Sequence, residues 1–283
     1  MINKLLQRYS VLFILFFIFT GDASATSKIN RKALVGRHRV IVDSLDIMAP
    51  LSVGNGKFAF TVDFTGLQSF PEYYEKGIPL GTQSEWGWNS FPNIGGFKFE
   101  ESLQNFDYYG RDVPFSVQIS TPDRKKDAVN YLRANPHRLH LGIIGLEILH
   151  SDGSPVLPEE ISSIAQILDP WTGEIHSSFK IGDVPVEVTT YSHQSLDLVS
   201  SRIESPLLSM GLLRVRFAFP YPTGQSNDAG CDWKIQEKHS SELSSKSHSA
   251  MIKRILDNTS YSVQLEWSGK GKIFEKEKHV FYL

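Results

Sequence analysis

Residues 174–192 read EIHSSFKIGDVPVEVTTYS, and this stretch decides the fold class. Val184, Val186 and Val188 fall on alternate positions between polar residues, the period-two pattern of a strand with one buried face. Gly182-Asp183 separates this run from EIHSSFKI, and a Gly-Asp pair between two such runs is a short hairpin turn. Residues 57–64, KFAFTVDF, repeat the pattern: Phe58, Phe60, Val62 and Phe64 share one face after a Gly54-Asn55-Gly56 turn. Further strands are predicted over 196–204, 212–219, 261–267 and 273–281. Residues 138–150 lead into an Asp152-Gly153 turn, although their long apolar run also permits some helix. Helical signals are few. Thr121-Pro122-Asp123 predicts a helix reaching Ala134 and stopped by Pro136, and Pro158-Glu159-Glu160 predicts a single turn. Many strands with almost no alternation of strand and helix predict an all-β protein, a large antiparallel β-sandwich with one or two short helices.

The N-terminus reads differently. Lys4 and Arg8 precede the apolar run 11–19, VLFILFFIF, and Ala23-Ser24-Ala25 follows. These are the parts of a secretory signal cut after Ala25. The run is shorter than the roughly 20 apolar residues of a spanning helix. Residues 1–25 are therefore expected to be a signal peptide, and 26–283 an exported sandwich domain, secreted or periplasmic. Removing residues 1–25 from 283 leaves 258, enough for a large core. Cys231 is the single cysteine, so no internal disulfide can form and the thiol is expected to be a simple buried one. The 29 basic and 31 acidic residues give a net charge of −2 without a long basic run, which argues against nucleic acid and, after signal cleavage, against a membrane.

Residues 80–93, LGTQSEWGWNSFPN, carry the functional signal. They set two tryptophans on either side of a glycine, beside a carboxylate, amides and hydroxyls. Flat aromatic faces next to hydrogen-bonding groups suit a sugar ring, with its apolar C–H face and rim of hydroxyls. Glu85, Trp86, Trp88 and Asn89 are the candidate substrate-binding residues; the plain alternative is a rim loop whose Trp pair covers a sheet edge. Glycoside cleavage needs two carboxyls at a defined separation. Asp43, Asp46, Asp63, Glu72, Glu75, Glu85, Asp107 and Asp112 are available, and Glu85 beside Trp86 is the first choice for a raised pKa.

Residues 51–60, LSVGNGKFAF, resemble the opening strand of six-hairpin glycosidases grouped with glycoside hydrolase family 65. The resemblance continues through 63–68 (DFTGLQ), 77–93 (GIPLGTQSEWGWNSFPN), 166–174 (QILDPWTGE), 197–207 (DLVSSRIESPL) and 218–222 (AFPYP). It implies a galactose-mutarotase-like β-supersandwich that packs on an (α/α)6 barrel, a carbohydrate substrate, and hydrolysis or phosphorolysis. The family's catalytic groups lie on barrel loops, and no run of amphipathic helices here forms such a barrel. On this resemblance the chain is an N-terminal sandwich domain, non-catalytic alone, whose partner is a C-terminal barrel. The end of the sequence, KHVFYL, reads as a strand after which something else follows.

Other chemistries lack their motifs. His137 and His140 stand three apart without the carboxylate or thiol cluster of a zinc site, so no metal is expected. There is no G-x-S-x-G elbow, no phosphate-binding loop and no dinucleotide fingerprint, so no cofactor is expected. Asn258-Thr259-Ser260 fits the N-glycosylation pattern. The serine-rich run 240–249 is expected to be an exposed loop. Two further readings stay open: a free-standing carbohydrate-binding sandwich, and an exported structural domain that contacts another protein.

Overall fold

The computed structural model describes residues 29–283, which divide into a short unit ending at His38 and a large one from Arg39 to Leu283. The expected signal peptide lies outside the described residues. The described part of the short unit is helix α1 (Arg31–Gly36), where Asn30 Oδ1 accepts from Ala33 N at 3.0 Å. No helix among the described residues is long and apolar enough to cross a membrane.

The large unit is antiparallel throughout its strand pairs. It opens with β1 (Val40–Val42), β2 (Leu51–Gly54) and β3 (Phe58–Val62), then helix α2 (Pro71–Tyr74), β4 (Thr82–Ser84) and β5 (Trp88–Asn89). A ribbon of β6 (Leu103–Asp107) and β7 (Asp112–Ser116) leads to helix α3 (Arg124–Ala134), β8 (His137–Arg138) and β9 (Ile143–Ile148). The long strands β10 (Ile161–Asp169), β11 (Glu174–Ile181), β12 (Val184–Ser192) and β13 (Val199–Glu204) follow. Helix α4 (Pro206–Ser209) precedes β14 (Leu213–Ala218), β15 (His239–Ser245), β16 (Ser249–Leu256), β17 (Thr259–Glu266), β18 (Phe274–Glu277) and β19 (Val280–Tyr282).

The expected hairpin is the centre of a five-stranded sheet ordered β1-β10-β11-β12-β13. Its register runs from Ile181 opposite Val184 to Glu174 opposite Tyr191, with Gly182 at φ +57° in the turn. Ile175, Phe179, Val186 and Val188 are fully buried and meet Phe60, Val62 and Phe64 in the main core. A second sheet, ordered β18-β19-β14-β9, presents Leu146, Ile148 and Leu213 to that core. The same face continues through Phe217 into a second core, shared with Ala250 and Ile252 of the β15-β16-β17 meander. One sheet face thus serves two packed layers, which is the sandwich the alternating pattern demands.

The segment after β3 closes the free side of β9. Asp63 Oδ1 accepts from Thr65 N (2.8 Å) and Thr65 Oγ1 (2.5 Å), and its Oδ2 from Ser69 N (2.7 Å) and Phe70 N (2.8 Å). The turn so formed lets Gln68 Oε1 accept from Ile144 N at 3.0 Å and Ser69 Oγ from Leu146 N at 2.9 Å. An edge that would otherwise expose backbone donors is covered from within.

Helix α3 starts after Asp123, whose Oδ1 accepts from Lys126 N at 3.0 Å, and ends at Ala134 as the sequence predicts. Pro158–Glu160 forms the single turn. Four other features differ from expectation. Residues 138–150 hold no helix; they split into β8 and β9 around His140. Residues 273–281 are a hairpin, not one strand: the chain reverses at Lys278-His279, with His279 at φ +68°. The serine-rich run is β15, a turn and the start of β16: Ser244, Ser245 and Ser247 are exposed, while Ser241 shares the face of buried His239 and its Oγ lies 2.8 Å from His279 Nδ1. Among the described residues four short helices stand where one or two were expected, and only α3 of these exceeds six residues.

Candidate functional site

The 80–93 stretch forms a compact corner of the large unit. β4 ends at Ser84, residues 85–87 turn tightly with Gly87 N donating to Ser84 O at 3.1 Å, and β5 pairs with β8 so that Trp88 faces Arg138. Trp86 is 48% exposed and Trp88 42%. Both indole N–H groups are occupied by the protein itself. Trp86 Nε1 donates to Asp197 Oδ2 at 2.6 Å, and Trp88 Nε1 donates to Glu85 O at 3.0 Å. The ring edges are thereby fixed, and what the rings offer to solvent is apolar face.

Polar groups surround those faces. The Arg138 guanidinium lies 4.4 Å from the Trp88 ring and donates to Ser84 O at 3.0 Å. Ser84 Oγ donates to the same Asp197 Oδ2 at 2.6 Å. The Tyr261 ring stands 6.0 Å from Trp86, tilted by 55°. Glu85 pairs with Lys57 at 3.1 Å, and its side chain is 57% exposed. The apolar recess that a proton donor needs is absent at Glu85, whose carboxylate is exposed and paired with a lysine.

Of the four sequence candidates, Glu85, Trp86 and Trp88 share this surface. Asn89 does not. It is 2% exposed, donates through Nδ2 to Asp257 Oδ2 at 3.0 Å and accepts from Thr259 Oγ1 at 2.7 Å. A buried amide satisfied on both sides is a joint between the loop and the β16–β17 turn, not a ligand contact. Tyr221 Oη donates to Asp257 as well, at 3.0 Å, so the joint is shared by three chain segments. Sequence reasoning missed Asp197, Arg138 and Tyr261 as neighbours of the tryptophans. No local signal marks them, since each lies at least 50 residues away.

Asp63 is fully buried in its turn; burial pushes its carboxyl up to about 6 against the four donors that face it. Asp107 and Asp112 do sit opposite each other, but on the exposed β6–β7 ribbon, where Asp107 Oδ1 accepts from Gly110 N at 2.7 Å. His137 and His140 are directed to different partners: His137 Nδ1 contacts Ala134 O at 2.8 Å, while His140 Nδ1 accepts from Gly142 N at 3.2 Å. No group of three or more His, Cys, Asp or Glu that could hold a metal occurs among the described residues. Cys231 is half-buried, and burial pushes its thiol up to about 12.

Neither family models nor curated proteins give a match to this chain.

Proposed function

We propose that the chain is a carbohydrate-binding β-sandwich domain of a secreted carbohydrate-active enzyme, non-catalytic on its own, in which Trp86 and Trp88 form one wall of a sugar subsite. A single observation carries this reading: both indole edges are held by protein acceptors while both rings stay nearly half exposed beside Arg138, Lys57 and Glu85. Leaving two tryptophan faces in water costs hydrophobic free energy, and fixing their edges restricts them further. Such a pair serves a ligand that stacks, and the charged groups around it suit hydroxyls at the rim of a sugar ring. The resemblance to family 65-like supersandwiches points to the same ligand class.

The test is a glycan array probed with the full chain, followed by titration of the best oligosaccharide into Trp86→Ala and Trp88→Ala. Specific binding weakened at least tenfold by either substitution supports the proposal. Absence of binding across the array, or affinity indifferent to both substitutions, overturns it.

A protein-contact role has an observation of its own. The β6–β7 ribbon exposes Phe106, Tyr108, Tyr109 and Phe115, with Phe106 and Phe115 rings 6.0 Å apart and Tyr109 wholly exposed. A stoichiometric protein partner released by Tyr109→Ser, with no glycan bound, would favour that role.

A further inference from the structure

Far from Trp86 in sequence, the second core contains a buried cation with no carboxylate partner. Arg254 of β16 is completely buried. Its Nη1 donates to Ser241 Oγ (2.5 Å) and Ser240 O (3.0 Å), and its Nη2 to His239 Nδ1 (2.5 Å); its Nε has no hydrogen-bond partner. No ion pair involves Arg254 among the described residues. Burying an unpaired charge is expensive, and an apolar side chain would serve packing alone better.

What the guanidinium does is hold two imidazoles. His239 and His279 stack with centroids 3.8 Å apart and planes 26° from parallel. His239 Nδ1 accepts from Arg254, His279 Nδ1 accepts from Ser241 Oγ at 2.8 Å, and His279 Nε2 donates to Gln236 O at 2.9 Å. Both rings are neutral in this arrangement, in keeping with burial and the adjacent guanidinium, which hold their pKa values below the usual range. Their orientation is fixed from behind.

In front of them lies a cavity of about 120 Å³, lined by Trp233, Asp232, Gln236 and Glu277 as well as the two histidines. Sites for drug-sized molecules occupy roughly 300–1,000 Å³, so this one takes a single small ring. Trp233 is 39% exposed and supplies an aromatic face. Asp232 and Glu277 accept hydrogen bonds, Gln236 accepts and donates, and the Lys278 ammonium is already paired with Glu237 Oε2 at 2.8 Å. This balance disfavours anions, and the absence of a three-ligand group among the described residues disfavours a metal ion.

We propose that this cavity is a second carbohydrate subsite that takes one neutral sugar ring, stacked on Trp233 with its hydroxyls on Asp232, Glu277 and Gln236, over a floor made rigid by Arg254. The inference rests on the carbohydrate reading but uses residues wholly separate from Trp86 and Trp88.

The experiment is calorimetric titration of the full chain with the methyl α-glycosides of glucose, galactose, mannose and xylose. Trp233→Ala and Glu277→Gln are made at exposed positions, and circular dichroism confirms their fold. Saturable binding of at least one glycoside, weakened at least tenfold by each of these substitutions and changed less than twofold by Trp86→Ala, supports the proposal. Absence of saturable binding, or binding that survives Trp233→Ala, overturns it. An oligosaccharide that binds through Trp86 while no monosaccharide binds would overturn the second subsite and leave the first intact.

Discussion

Trp86 Nε1 and Ser84 Oγ donate to one oxygen of Asp197, each at 2.6 Å, across 111 and 113 residues of sequence. The carboxylate therefore fixes both the ring and the strand end that carries it. Charge-assisted hydrogen bonds of this kind contribute more than neutral ones. Asp197→Ala should cost about 1–3 kcal/mol in urea unfolding. It should also lower oligosaccharide affinity, because Trp86 becomes free to rotate. Unchanged affinity in a folded Asp197→Ala variant would show that ring orientation does not govern binding.

Asp63→Asn preserves shape and reverses one half of the hydrogen-bond pattern. The wild-type oxygens face Thr65 N and Thr65 Oγ1 on one side, and Ser69 N and Phe70 N on the other. An amide NH2 placed on either side meets backbone N–H donors and leaves them unsatisfied in a fully buried turn. Turned so that its NH2 faces Thr65, the amide orphans one backbone donor, and at about 1–3 kcal/mol for a buried orphan the substitution should destabilise by roughly 1–3 kcal/mol, measured by chemical denaturation at pH 7. A loss below about 1 kcal/mol would mean that the turn rearranges around the amide.

The main sheet was legible because its information is local: Val184, Val186 and Val188 alternate, and Gly182 sits where φ must be positive. The reversal at Lys278-His279 was not, because no Gly or Pro announces it. His279 takes φ +68° while Ser241, Gln236 and Glu275 grip it from other segments. The serine run failed as a loop for a related reason: its backbone pairs with β16, and Ser241 turns inward to Arg254 and His279. At the candidate surface the two tryptophans could be read from their own spacing. Asn89 was misplaced because Asp257 and Thr259, which bury it, lie 168 and 170 residues away.

His140 makes stability pH-dependent in a defined direction. Burial pushes its imidazole down from 6.5 to about 4, and Nδ1 is already occupied by Gly142 N. The unfolded chain takes up the proton first as pH falls, so the contribution is complete above 6.5 and lost on approach to 4. That amounts to about 3 kcal/mol. Asp63 acts in the opposite sense: its folded pKa of about 6 exceeds the ordinary 3.8, so its contribution is lost as pH rises through 6. The His140 effect is therefore read as the wild-type stability minus that of His140→Gln. This difference should shrink by about 3 kcal/mol between pH 7 and pH 4 in urea titrations, and a constant difference would refute the assignment.

Two glycines separate the cost of backbone conformation from that of contact. A Cβ at Gly145, within β9, would stand 2.2 Å from Gln68 O and 2.7 Å from Gln68 C, and backbone has no room to yield there. A Cβ at Gly153 meets nothing within 4 Å, but φ is +84°. Gly153→Ala should therefore lose only the left-handed penalty, about 1–2 kcal/mol. Gly145→Ala must push residues 67–70 off the edge of β9, breaking the bonds from Ile144 N to Gln68 Oε1 and from Leu146 N to Ser69 Oγ. With two buried backbone donors released, its loss should exceed about 3 kcal/mol. Amide exchange gives the sharper check: Ile144 and Leu146 should lose protection selectively in Gly145→Ala and keep it in Gly153→Ala. Equal protection in both variants would mean that the 67–70 turn does not depend on its seat against β9.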